Sequence, residues 1–552
     1  MKREIESVIQ KVCKKTFDAE AAVELTRPEE QFGDYSTNIA LQLARKLGQP
    51  PQGIADQLAD ALRTALGSKI SSITVAGQGF LNVRLSDHSL LESIQKINIS
   101  KPFAGQKVVI ETNNPNPFKD IHIGHAFNSI VADTVANLLE SGGAETHRVS
   151  YHGDIGLHVG KSMWAILKFI DGDLNKLSSI NALERPSFLS QKYAEGATAY
   201  EQNELAKKEI EHYAQESFAP SESLFKQVYD ICKDWSFSYF GEVFQMTGSH
   251  PVERRYLESE ADKAGRSVVE EHIGKVFERS DGAIVFPGDR YGLHTRVFIS
   301  GKGNTLYEAR DLGLMQLKQK DFSPQASYIV TAVEQREYFQ VIFKAAELAL
   351  PELAGITKNI PTGTVKLSSG KMSSRDGTAT TIGWLFDSLQ RALKDRGAPV
   401  GSINDEMVGA LRYTMLKNRV GSDVTFDVSQ AISLEGNSGP YIQYAYVRAR
   451  SILKKSKVPT AVLSSNLEPG ERSLALKISE YPEATERAVV ELMPHHICSY
   501  LYEVAQAFNH FYENNRVIDN ERTAVRLGLV EAYADVINNG LKILNIPAPL
   551  QM

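Results

Sequence analysis

His122 and His125 stand three residues apart in the stretch NPNPFKDIHIGHAF, residues 114–127, with Gly124 beside the second. Imidazoles so spaced can ligate a metal, donate to phosphate oxygens, or fill a buried helix start. The zinc reading is the weakest, because the helical zinc motif needs a glutamate and i,i+4 histidines. A phosphate site fits better. The mouth of a helix offers unpaired N–H groups and a favourable dipole, and Gly124 lets a base or ribose approach the backbone. A second stretch, SSGKMSSRDG at 368–377, sets Lys371 and Arg375 among small hydroxyl residues, flanked by glycines. Such a loop can wrap nucleotide phosphates and neutralise charge that develops during transfer. Alone, one motif reads equally as a helix start and the other as a solvated loop. Their pairing across an α/β pattern is far more specific than either.

The elements that must position these residues follow from periodicity. KVVIET from Lys107 is a near-continuous β run, ending in an Asn/Pro loop. A helix with Ile130, Val131, Thr134, Val135, Leu138 and Leu139 on one face follows, closed by Gly142-Gly143, and ETHRVSY is the next strand. Strand, loop, helix, strand is a βαβ unit, which predicts a parallel sheet covered by helices. Ligands of such sheets sit beyond the carboxyl ends of the strands, where His122–His125 falls. A charged helical segment over about 165–265 interrupts the pattern, which resumes with YIVTAV at Tyr328. Before it, Ser36 is placed to cap a helix through Leu47, a second helix covers Ile54–Leu66, and ITVAG and GFLNVRL read as two strands. From about Asp405 the chain reads as a helix bundle without strands.

At 552 residues the chain should form several domains. Its 42% apolar and 23% charged residues suit a globular protein, and no window approaches the roughly 18 apolar residues of a membrane span. The charged start MKREIESVIQKVCKK lacks the apolar core of a secretory signal, so the cytosol is the expected compartment. Cys13, Cys232 and Cys498 are too scattered for a disulfide framework or a thiolate zinc site. The net charge of -6 argues against a general nucleic-acid coat but leaves room for local basic patches. One runs from Tyr441 to Lys457 and carries Arg448, Arg450, Lys454 and Lys455 among Tyr441, Tyr444 and Tyr446, without an acid. Ile442, Ala445, Ala449, Ile452 and Leu453 form the inward stripe of that helix.

The sequence resembles the arginyl-tRNA synthetase family of class I, with its HIGH signature at His122–His125 and a KMSKS variant at Lys371–Arg375. FGDYSTNIALQLA, GFLNVRL, TLYEARDLGL, YIVTAVEQREYFQ, ALRYTMLKNR, GPYIQYAYVRARSI and the terminal NGLKILNIPAPLQM occur in the family's order, the last implying a complete chain. The resemblance implies a Rossmann-like parallel-sheet catalytic domain at 101–390, an α/β D-loop-binding domain at 1–100, and an all-α anticodon-binding bundle at 391–552. It implies ATP-dependent activation of L-arginine, transfer to tRNA(Arg), Mg2+, no zinc, a monomer, and a need for bound tRNA before activation. His122, His125, Lys371 and Ser373 would hold ATP phosphates, with Gly124 under the nucleoside. Glu111 and Asp311 match the family's guanidinium-binding acids, and Asn116, Tyr307 and Gln335 match other arginine contacts. Read singly, Glu111 could merely end a strand and Asp311 could pair with Arg310 at the surface. Phe80 and Asn82 match a base-reading pair, against the alternative of a core residue and a turn residue. Tyr444, Arg448 and Met552 are expected at the anticodon, where a solvated helix face is the competing reading of the first two.

Three departures qualify this. His158 stands where the family often has glutamine, and Asn545 where it usually has glycine. Ser374 replaces the second lysine of the loop. Lys119 is expected to supply that missing charge, with adjacent Arg375 as its competitor. Rival readings are the cysteinyl enzyme, whose thiolate zinc the cysteines cannot build, a small HIGH-type nucleotidyltransferase, which would lack both terminal domains, and a non-catalytic tRNA-binding regulator.

Overall fold

The computed structural model describes residues 1–221, 223–368, 381–456, 458 and 466–552. Two compact units divide the chain. The first joins Met1–Ser100 to Tyr444–Thr485 and Ser499–Gly540; the second joins Lys101–Gln443 to Glu486–Cys498 and Leu541–Met552.

In the first unit, strands β1 (Tyr35–Thr37), β2 (Ile70–Ala76) and β3 (Phe80–Leu85) form an antiparallel sheet with β3 in the centre. Ser36 therefore does not cap a helix. It pairs with Asn82 in the sheet, and the helix starts at Ile39. The helices Lys2–Phe17 and Pro51–Leu66 are amphipathic, burying Ile5, Ile9 and Val12 on one and Ile54, Leu58 and Leu62 on the other. Residues 1–100 are not a free-standing module. Arg472, on the Pro469–Ser479 helix, pairs with Asp34 and Asp87, each at 2.7 Å. Glu483 takes hydrogen bonds from Arg27 (2.6 Å) and the Tyr35 hydroxyl (2.9 Å). Asp34 is 2% exposed, so Arg472→Ala strands a buried carboxylate. That variant is expected to lose about 3–5 kcal/mol, read as a fall in the thermal melt of the full chain.

The second unit holds the parallel sheet. Its strands β4 (Lys107–Asn113), β5 (Glu145–His152) and β6 (Arg254–Leu257) are followed by a separate antiparallel sheet of β7 (Glu278–Ser280), β8 (Ala283–Phe286) and β9 (Arg296–Ile299). Strands β10 (Ala326–Ala332) and β11 (Thr357–Thr362) then complete the first sheet, in the order β11-β10-β4-β5-β6 with every pair parallel. Val108, Val109 and Ile110 of β4 are buried on both faces, as a central parallel strand requires. β6 lies within the stretch read from sequence as largely helical. The bundle region also holds a strand, β13 (Val424–Phe426), which pairs with β12 (Val365–Leu367).

The helix Ile123–Ser141 is buried almost all round, including Asp133 and Asn137. Asp133 is the hub of a polar cluster. Arg412 (3.0 Å), Arg148 (3.3 Å) and His250 (2.9 Å) converge on it. Burial alone would lift its pKa, but these neighbours hold the carboxyl well below the usual range. Arg412 also donates to the Leu544 carbonyl at 2.7 Å and Asn137 to that of Ile543 at 2.9 Å, stitching residues 541–546 onto the helix. Among the described residues no helix is long and apolar enough to cross a membrane.

Candidate active site

The chain leaves β4 toward β5 on one side, while β10 packs on the other, so a crevice opens at the carboxyl ends of β4 and β10. A cavity of about 1030 Å³ occupies it. Glu111, Asn116, Tyr307, Asp311 and Gln335 all border this cavity, as do His122, Gly124 and His125. The structure thus brings together eight residues singled out from sequence. Lys371, Ser373, Ser374 and Arg375 lie outside the described residues.

His122 caps the Ile123–Ser141 helix and its backbone N–H donates to His125 Nδ1 at 3.4 Å. The two rings stack with centroids 3.6 Å apart. A Cβ on Gly124 would stand 3.1 Å from the His122 ring, so the glycine leaves room for this stack. Burial, then the neighbouring His122 and Lys119, push His125 down to about 3; burial and Lys119 lower His122. Both rings are therefore neutral N–H donors at neutral pH, aimed at the mouth of a helix.

Lys119 is half-buried and makes no ion pair among the described residues, feeling only the longer-range pull of Glu258. The residue before it, Phe118, is fully buried with φ of 68°, a left-handed conformation rare for a bulky side chain. Phe118 N donates to Ser236 Oγ at 3.0 Å, and Phe118 O takes a hydrogen bond from Ser162 at 3.2 Å. The ring packs on Tyr229 in the core of the helical insertion. That core over-determines a backbone turn worth about 1–3 kcal/mol of strain, and the turn sets the direction in which Lys119 leaves the chain.

The acids of the cavity arrive with partners that sequence alone did not give. Glu111 lies near the carboxyl end of β4, where the register with β5 slips by one residue, between Glu111 and Asn113. One carboxylate oxygen is paired with buried Lys318, and the other accepts from Asn114 at 2.6 Å. Asp311 accepts from the Tyr338 hydroxyl at 2.6 Å. Burial, with Glu111 and Glu258 nearby, pushes Asp311 up to about 7 despite Tyr338. Arg310 does not form a surface pair with Asp311. It is 6% exposed and binds Glu258 at 2.7 Å. Glu258 borders the cavity, and burial pushes it up to about 7 against the pull of Arg310. The only sequence hint for Lys318 is its helical phase, seven residues beyond Asp311 and so on a similar face. Tyr307 and Asp311 ride the Tyr307–Phe322 helix, which meets the Glu258–Glu271 helix backbone to backbone: a Cβ on Gly313 would lie 2.1 Å from the Ala261 carbonyl oxygen.

In the first unit Phe80 is 43% exposed at the start of β3, while Asn82 is buried on the same strand. Arg448 lies over the Tyr444 ring at 4.9 Å and donates to Asn509 at 2.8 Å; both Tyr444 and Arg448 are half-buried. Met552, half-buried, belongs to the second unit.

The family model "tRNA synthetases class I (R), catalytic domain" matches residues 88–398, more than half the chain. The chain belongs to the class I arginyl-tRNA synthetase family. Within this family's layout, an arginyl tRNA synthetase N-terminal domain matches residues 1–85 and a DALR anticodon-binding domain matches 442–552. The chain is similar to the arginine–tRNA ligase of Borreliella burgdorferi, at 28% identity over 95% of this chain and 94% of that one. It is also 28% identical to that of Clostridium perfringens, over 94% of each. In fold it is similar to the Thermus thermophilus arginyl-tRNA synthetase, with a TM-score of 0.81, 24% identity and full coverage of both chains.

Against this arginyl-tRNA synthetase background, both other departures have structural accounts. His158 is pushed down to about 4 by burial and hydrogen-bonds the Gly153 carbonyl at 2.7 Å. Gly153 N in turn donates to Asn116 Oδ1 at 3.0 Å, so His158 steadies the residue whose N–H orients Asn116. Asn545 adopts φ of 53°, which glycine suits and asparagine tolerates, and its amide donates to the Gly248 carbonyl and to Asp133 at 3.3 Å.

Proposed function

We propose that this chain activates L-arginine with ATP and transfers it to the 3′ end of tRNA(Arg). The observation that carries this reading is one cavity with neutral imidazole donors at its helix mouth and, in its wall, Asp311, which pairs with no cation among the described residues. A guanidinium is a planar, permanent cation with a fixed fork of donors, so an acid-lined slot selects it. The arginine carboxylate attacks the α-phosphorus of ATP, the bond to the bridging oxygen breaks, and pyrophosphate leaves. A hydroxyl of the terminal tRNA ribose then attacks the arginyl carbonyl and AMP leaves. Such transfers need in-line positioning and charge neutralisation. His122 and His125 donate to the phosphates, Lys119 and Lys371 neutralise them, and Asn116, Tyr307 and Gln335 hold the amino acid. Ser373, two residues after Lys371 in sequence, is proposed to share that role. Mg2+ brought by the nucleotide would supply further charge neutralisation; among the described residues no three acid, histidine or cysteine side chains are grouped to hold a metal.

Phe80, Asn82, Tyr444, Arg448 and Met552 are proposed tRNA contacts, and a cytoplasmic monomer is the proposed working state. Phe80→Ala is expected to remove about 1–3 kcal/mol of base stacking. It should lower kcat/KM for tRNA and leave the arginine KM unchanged; an unaltered tRNA kcat/KM sinks the D-loop assignment. Pyrophosphate exchange with and without tRNA, run with arginine against the other amino acids, tests the whole reading. Exchange that is arginine-specific and tRNA-dependent supports it. Tight tRNA binding without exchange would instead make the chain a non-catalytic regulator.

A further inference from the structure

Among the described residues four buried or half-buried acids border the cavity, and three carry their own cation. Glu111 has Lys318, Glu258 has Arg310 at 2.7 Å, and Glu308 has Arg296 at 3.2 Å. Asp311 alone of these has a neutral partner, the Tyr338 hydroxyl. Glu334, the remaining acid at the cavity, is exposed to solvent. Among the described residues the wall therefore lacks one positive charge, and the lack is at Asp311. We propose that Lys318 is a positioning residue which gives Glu111 its counter-charge, leaving Asp311 as the carboxylate that selects the charge of the substrate guanidinium.

The geometry explains why Lys318 can do this without touching substrate. Its side chain is 1% exposed, it does not border the cavity, and it reaches Glu111 from behind the strand end. Fixed by Lys318 on one oxygen and Asn114 on the other, Glu111 offers the substrate a rigid acceptor whose charge is already matched. The groups facing Asp311 are Tyr338, Glu111, Glu258 and Lys318, with the Tyr151 phenol beside them. Glu111 and Glu258 oppose the charge of Asp311, and Lys318 favours it. Removing Lys318 therefore leaves two facing carboxylates that resist ionising together, and guanidinium binding must then drive off a further proton.

The inference rests on the arginine reading of the cavity, and the test separates the two. Arginine KM is measured between pH 6 and 9 by tRNA-dependent pyrophosphate exchange for wild type, Lys318→Met and Lys318→Arg. Lys318→Met is expected to move the pH midpoint of the KM upward by about one unit, a KM roughly fivefold higher at pH 7 and approaching tenfold higher at pH 6. The gap should close toward pH 9, with kcat unchanged and Lys318→Arg close to wild type. Discrimination against citrulline, the neutral isostere, should narrow. A Lys318→Met profile that superimposes on wild type overturns the proposal. Should Lys318→Met fail to fold, binding calorimetry in two buffers of different ionisation enthalpy decides the matter. Arginine should release part of a proton near pH 7 from wild type and from Glu258→Gln, but not from Asp311→Asn. Release that persists in Asp311→Asn overturns the proposal. A wild type that activates no arginine at any pH overturns the functional reading instead.

Discussion

Asp311→Asn is expected to raise the arginine KM by roughly 30-fold to several thousand-fold, the equivalent of about 2–5 kcal/mol for losing one charged partner of a desolvated pair. Asparagine still accepts from Tyr338, but it removes the unmatched charge and turns an N–H donor toward a guanidinium that can only donate. The fold should survive, since Asp311 pairs with no cation whose charge would be stranded. The pH dependence gives a second signature. Burial and the neighbouring acids push Asp311 up to about 7, so below that pH it is protonated and neutral. Guanidinium binding favours the ionised form and releases the proton. Wild-type KM should therefore rise as pH falls through about 7, approaching tenfold per unit, and that rise should flatten in Asp311→Asn. An unchanged KM in the variant would remove Asp311 from the guanidinium site.

The second large effect is expected at Lys119. Lys119→Ala should lower kcat by about 10²–10³, the usual loss for one preorganised donor to developing charge, with little change in the arginine KM. Two structural facts favour Lys119 over Arg375 as the substitute for the missing loop lysine. Its charge acts directly on both His122 and His125, and it has no ion-pair partner among the described residues to hold it back. Phe118, locked in a left-handed turn by the insertion core, fixes where it leaves the chain. If Arg375→Ala is crippling and Lys119→Ala behaves as wild type, the compensating charge belongs to Arg375.

His122–His125 could be read from residue type and place, whereas Glu111, Asn116, Tyr307, Asp311 and Gln335 are marked by the family resemblance, and periodicity only places some of them in their elements. Glu111 closes an apolar run, His122 opens a helix, and Asp311 lies one helical turn after Tyr307. What could not be read are contacts made between elements far apart in the chain. Lys318 meets Glu111 across 207 residues, and nothing in its own helix announces a buried partner. Glu258 was hidden by its charged surroundings, which read as solvated helix although a sheet strand, β6, runs directly before it. The antiparallel strands β7–β9 escaped for a related reason: they are only three or four residues long, too short for alternation to declare itself. Ser36 misled because a serine before an apolar run signals a helix cap as readily as a strand, and pairing with Asn82 decided the matter.

The Asp133 hub has a consequence for the order in which the protein can be made. Every strand of the parallel sheet is translated before the ribosome reaches Leu541, yet Leu544 supplies an acceptor for buried Arg412 and Asn545 a donor to Asp133. Domains generally fold as units while synthesis proceeds from the N-terminus. Here the catalytic unit has to wait, with Arg412 short of an acceptor and the face around Asn137 uncovered, until a segment encoded after the bundle arrives to close it. A nascent chain arrested before residue 541 should therefore hold its sheet in a loose, protease-sensitive form. Synthesis on through Ile546 should convert it to a resistant one, which makes a finished adenylating pocket a late event in the birth of the molecule.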